Sequence, residues 1–232
     1  TGISLHKENF LPKKTVMLQF FQIGIPIAFQ DGLIQIAFII ITIIANRRGL
    51  NDAAAVGIVE KVISFLFLVP SSMLSSVSAL GAQNFGAGKP ERAVETLKYA
   101  IMIAVGFGLT VAVVIQFAAD PVVSLFTDNG TVIHSGGQYL RGYIWDCVFA
   151  GIHFSFSGYF CACQKSGLSF LHNITAIVLV RVPGVYMMSR LFSDTLYPMG
   201  LATAAGSLLS VIICVIAFTI LLKKERKNKA FR

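Results

Sequence analysis

Six long apolar segments, each ended by a short polar or glycine-bearing break, leave this chain few folds other than a bundle of membrane-crossing helices. A bilayer core of about 30 Å needs roughly 20 apolar residues in a helix. The six segments run from about Val16 to Ala45, Ala53 to Leu80, Ala93 to Ala119, Gln138 to Cys163, Leu168 to Phe192 and Met199 to Leu222. No segment alternates with period two, so a membrane β-barrel does not fit. Only 13% of the residues are charged, against about 25% in soluble domains, so a soluble body could not cover its own surface. The expected fold class is therefore an all-α membrane protein with six transmembrane helices.

Basic residues set the expected direction. Thirteen of the nineteen Lys and Arg fall on the side shared by both termini; four (Arg47, Arg48, Arg141, Arg190) fall on the other, and Lys61 and Arg181 lie inside spans. By the positive-inside rule the termini are cytoplasmic, and a multi-pass protein of the inner (plasma) membrane is expected. Residues 1–14 read as a cytoplasmic linker, 15–222 as the six-helix lobe and 223–232 as a basic cytoplasmic tail. The net charge of +8 then points to membrane lipid rather than nucleic acid. The polar start at Thr1 suggests a piece of a longer protein. Tyr139, Tyr143 and Trp145, near an expected span end, read as an interfacial aromatic belt. Cys147, Cys161, Cys163 and Cys214 lie in apolar runs and read as structural thiols.

Polar groups inside the spans are the candidate functional residues. Asp31, Glu60, Lys61, Asp146 and Arg181 all lie within apolar segments. A charge at the bilayer centre costs about 2.5–3.5 kcal/mol on the mildest scale, so these five must face the bundle interior and some must pair. Lys61 and Arg181 are the expected partners of the acids. Glu60 and Asp146 each lie about eight residues in from their expected span ends, so both reach about 12 Å deep at 1.5 Å per residue. Two bases cannot neutralise three acids, which leaves one negative charge for a mobile H⁺ or Na⁺. His153 shares a helix face with Asp146 and is a relay candidate; Gln30 adjoins Asp31. Pro26, Pro70 and Pro183 interrupt three spans and are expected kinks or gates. The serines Ser64, Ser71, Ser72, Ser75, Ser76 and Ser78 suit close helix packing, or a polar stripe along a cavity. No nucleotide, nucleophile or metal motif stands out. No enzyme activity, metal site or cofactor is expected beyond the coupling ion.

The stretch Ala82-Gln83-Asn84-Phe85-Gly86-Ala87-Gly88-Lys89-Pro90-Glu91-Arg92-Ala93 resembles the cytoplasmic loop of multidrug and toxic compound extrusion (MATE) transporters. Gly24-Ile25-Pro26-Ile27-Ala28-Phe29-Gln30 is similar to the first span of that family's second lobe. Ala55 to Lys61 and Arg181-Val182-Pro183 resemble bacterial members. The resemblance implies the C-terminal lobe, spans seven to twelve, of a twelve-helix, two-lobed antiporter that exports drugs or other amphipathic organic molecules in exchange for H⁺ or Na⁺. It also implies an N-terminal lobe of the same protein as partner. Where many members carry a Glu two turns beyond the seventh-span proline, this chain reads Gly32-Leu33-Ile34-Gln35, and Asp31 is the nearest acid. A second family acid would fall near Cys161 to Cys163, where there is none. The alternative function is a flippase of lipid or polysaccharide precursors on a related two-lobed fold.

Overall fold

A computed structural model describes residues 14–230, and the stretch 1–13 read as a linker lies outside the described residues. Among the described residues the elements are α1 (Lys14–Asn46), α2 (Leu50–Leu66), α3 (Leu68–Gly86), α4 (Pro90–Ser124), α5 (Gly130–Tyr143), α6 (Trp145–Ala162), α7 (Ser166–Ala176), a π-helical turn (Ile177–Arg181), α8 (Val182–Leu191) and α9 (Tyr197–Ala230). They stack into six columns, because α2 and α3 meet end to end at Phe67, α5 and α6 at Ile144, and α7 and α8 across the π turn. Five columns among the described residues are long and apolar enough to cross a membrane: 20–46, 50–86, 90–124, 166–191 and 197–224.

The sixth column, α5–α6, covers the expected span Gln138 to Cys163 and is less apolar for a physical reason. It sits at the centre, touching α2, α3, α4, α7 and α9, so protein rather than lipid surrounds it. It also starts at Gly130 rather than Gln138: Gly130–Gly137 is too polar to read as a span, yet Asn129 caps it by accepting hydrogen bonds from the Thr131 and Val132 N–H groups. Its position corrects the aromatic belt. Tyr139 and Tyr143 are fully buried, packed edge-on with centroids 5.5 Å apart.

Two apolar clusters hold the two ends of the lobe. One joins Ile41, Val59, Ile63, Ala112, Tyr143, Cys147, Val185 and Ala202. The other joins Val77, Leu97, Phe156, Phe160 and Cys214. Along α9 the first cluster stops at Ala202 and the second resumes at Cys214, a gap of about 18 Å. Polar residues fill that middle layer. Where α5 crosses α9 the backbones touch: a Cβ on Gly200 would fall 2.6 Å from the Tyr143 nitrogen and 3.0 Å from the Gly142 carbonyl carbon.

The breaks read from sequence fall where the helices end. The loop between α3 and α4 turns through Gly88 at φ 71, where a side chain would be strained. Pro90 then opens α4 with Glu91 in its first turn, as helix N-termini favour. Helix α1 is continuous through Pro26, and Pro121, absent from the sequence candidates, lies inside α4. At the end away from the termini, Arg48 clamps the lobe. It pairs with Asp52 at 2.8 Å and donates to the carbonyls of Ser189, Phe192, Ser193 and Thr195. Those acceptors include the last turn of α8, whose carbonyls lack partners within the helix. The chain from Lys223 continues as helix to Ala230. Cys147, Cys161 and Cys214 are buried thiols.

Candidate functional site

The middle polar layer opens into a cavity of about 290 Å³ lined by Asp31 from α1, His153 from α6, Asn173 from α7, Arg181 from the π turn and Ser207 and Ser210 from α9. Local sequence explains how Arg181 gets there. Pro183 has no N–H to donate, so an α-helix cannot run through it with its hydrogen bonds intact. The chain instead widens into a π turn just before it, a common answer to an interrupted ladder. Asn173, Ile177 and Arg181 recur every fourth residue and line one face. Gly206 makes room beneath, since a Cβ there would come 2.8 Å from the Arg181 Cβ.

Arg181 donates to the carboxylate of Asp146, and both residues are buried. It also reaches Ser207 Oγ at 3.3 Å. Of the two bases inside spans, Arg181 therefore takes one acid. Lys61 is exposed and makes no ion pair among the described residues. Asp146 follows the first residue of α5 by sixteen positions and Glu60 follows that of α2 by ten, so the shared depth expected from sequence does not carry over to the observed helix starts.

Glu60 belongs to a neighbouring cavity of about 460 Å³, lined also by Thr42, Gly57, Lys61 and Ser64. Thr42 Oγ1 donates to Glu60 Oε2 at 3.2 Å, while Oε1 is buried without a partner among the described residues. Gln35, Phe38 and Ser64 line both cavities, so Asp31 and Glu60 lie in adjoining cavities that share these three side chains. Ser64 and Ser71 face the first cavity, and Ser71, Ser72, Ser75 and Ser76 lie exposed along α3. Part of the serine run is thus a polar stripe rather than packing. Gln30 is buried and turned away from both cavities: its Oε1 accepts from Ser169 Oγ at 2.6 Å. Pro26 and Pro70 line neither cavity, and Pro183 follows the π turn.

His172 and Asn173 are missing from the sequence candidates. His172 is fully buried, joins Ser157 Oγ through Nε2 at 2.9 Å, and lies edge-on to His153 with centroids 5.5 Å apart. The His153 Nδ1 and Asn173 Nδ2 atoms are buried without hydrogen-bond partners among the described residues. For Asn173 the four-residue spacing back from Arg181 was the available signal; His172 is off that spacing. Among the described residues no three His, Cys, Asp or Glu converge on a metal position. The walls therefore offer a free carboxylate, hydroxyls, an imidazole and an amide beside aromatic Phe38, Phe67 and Phe154. That combination suits an amphipathic ligand carrying positive charge.

The profile of the MatE family matches residues 26–187. The multidrug export protein MepA of Staphylococcus haemolyticus (strain JCSC1435) is 26% identical over 196 residues, which are 83% of this chain and 42% of that protein. The FAD transporter of Shewanella oneidensis is 27% identical over 166 residues, covering 71% and 36% of the two chains. A crystal structure of MATE in complex with MaL6 superposes with a TM-score of 0.88 at 17% identity, covering 97% of this chain and 51% of that one. The chain spans less than half the length of these curated relatives.

Proposed function

We propose, since this chain belongs to the MatE family, that it serves as one lobe of a cation-coupled antiporter exporting amphipathic organic compounds. A second lobe of the same protein would complete the cavity from the uncovered α1–α3 side. The observation that supports this most is the pair of adjoining cavities, sharing Gln35, Phe38 and Ser64, that hold Asp31 and Glu60. The Asp146–Arg181 pair is internally neutral, so Asp31 and Glu60 against Lys61 leave one net negative charge. With a second lobe closed over the site, such a carboxylate would sit in low dielectric and would bind a proton or a cation, which gives H⁺ or Na⁺ a place to exchange against substrate. Pro26, just over one turn before Asp31, is the natural place for that exchange to bend α1. The flippase reading is weaker here: the guanidinium in the first cavity is already taken by Asp146, so little positive charge remains for a pyrophosphate. We place the lobe in the plasma membrane with both termini cytoplasmic, on the basic-residue bias.

The test uses the complete two-lobed protein in proteoliposomes, with efflux of a cationic dye driven by an imposed H⁺ or Na⁺ gradient. Asp31→Asn or Glu60→Gln should lower gradient-driven efflux at least tenfold, because the amide cannot release a proton or hold a cation. Normal gradient-driven efflux in both variants would move coupling to the other lobe. This chain alone should insert in the membrane yet transport nothing.

A further inference from the structure

The basic residues at the end of the lobe away from the termini are not scattered. Arg141 pairs with Asp120 at 2.9 Å. The other three, Arg47, Arg48 and Arg190, all line one cavity of about 330 Å³, together with Ile44, Tyr186, Ser189 and Ser193. No carboxylate lines it. Arg48 is already spent on Asp52 and on four carbonyls, including those at the end of α8. That clamp covers the negative end of the α8 dipole, which would otherwise repel an anion. The nearby Asp194 accepts from Ser193 Oγ and lies outside the cavity lining. Arg47 and Arg190 make no ion pair among the described residues. The Arg190 guanidinium is held 5.7 Å above the Tyr186 ring, which fixes its position without neutralising it.

The cavity therefore keeps two free guanidinium groups and two serines where the spans 20–46 and 166–191 end. Chain neighbours of its lining residues are exposed apolar side chains: Ile43, Met187, Leu191 and Phe192. Free phosphate in water gains nothing from such apolar neighbours, whereas a lipid presents its phosphate and its chains together where the spans end. We propose that Arg47 and Arg190 bind the phosphodiester headgroup of an anionic phospholipid at the membrane boundary opposite the termini. A zwitterionic choline headgroup would bring its ammonium against the same guanidinium pair and bind less well.

The chain is purified in detergent and exposed to photoactivatable phosphatidylglycerol, and the labelled peptides are mapped by mass spectrometry. Labelling should concentrate on residues 43–48 and 186–193. It should fall roughly tenfold in the Arg47→Gln/Arg190→Gln variant, while labelling of the basic tail from Lys223 stays unchanged and reports intact protein. If the pair of changes disturbs folding, Arg47→Gln alone, at an exposed side chain, should still give a several-fold loss. Equal labelling in the variants, equal labelling by the diacylglycerol or phosphatidylcholine analogues, or suppression by millimolar inorganic phosphate would each overturn the proposal.

Discussion

Arg181→Met should leave little folded protein, because it strands Asp146 as a buried carboxylate without its cation. Removing one member of a buried pair costs about 3–5 kcal/mol, a large share of the roughly 5–15 kcal/mol that holds a folded chain together. The local packing argues against easy relief. Asp146 is wholly buried and lines neither cavity, and α6 is packed against α3, α4, α7 and α9. The double variant Asp146→Leu/Arg181→Met should recover most of the loss, since replacing a buried pair by apolar residues of similar size is often neutral. Thermal unfolding of the detergent-solubilised chain separates the cases. A single variant as stable as the parent would mean that the pair contributes nothing to holding the middle layer.

Gly200→Val should be the next most damaging change. At the crossing of α5 and α9 the added Cβ would meet the Tyr139 carbonyl oxygen, the Tyr143 nitrogen and Gly142. These are backbone atoms and cannot swing aside as a side-chain tip can. Overpacking a core costs typically about 1–3 kcal/mol, and a clash with backbone belongs at or above the top of that range. Gly106→Ala is the matched control: nothing lies within 4 Å of its Cβ position, so the change should be neutral or stabilise by up to about 1 kcal/mol. If both variants elute and unfold like the parent, the two helices do not cross as closely as described.

Much of this architecture is legible in the sequence, because the bilayer restricts what an apolar segment can become. The breaks at Arg47-Arg48-Gly49 and Gly86 to Pro90 fall where helices end, and the cost of a lone charge in lipid already requires that an acid meet Arg181. The misreadings share one cause: sequence shows how far along a helix a residue lies, not which neighbours surround it. Tyr139 and Tyr143 look like a belt because a membrane edge and a polar-flanked core position have the same local composition. His172 and Asn173 lie inside the expected span Leu168 to Phe192 and carry no formal charge, so nothing local singles them out until α6 and α9 pack against their helix. Lys61 looks like a partner for acids, yet its helix turns it onto the uncovered face. The centrality of α5–α6 was the least legible feature, since the helix that needs the fewest apolar residues is the one that lipid never reaches.

The π turn at Ile177–Arg181 has a consequence for chain length. A π turn holds one residue more than the α turn it replaces. It therefore acts as a stored insertion. Deleting a residue from most of α4 would rotate everything beyond it by about 100°, turning buried faces outward. Deleting Leu179, whose side chain is 65% exposed, would let the turn close as ordinary α-helix with α7 and α8 still facing the same way. This column should consequently tolerate the loss of one residue there and at few other places along its length. A series of single-residue deletions, scored for monodisperse protein, would show that window as a narrow gap in an otherwise intolerant span.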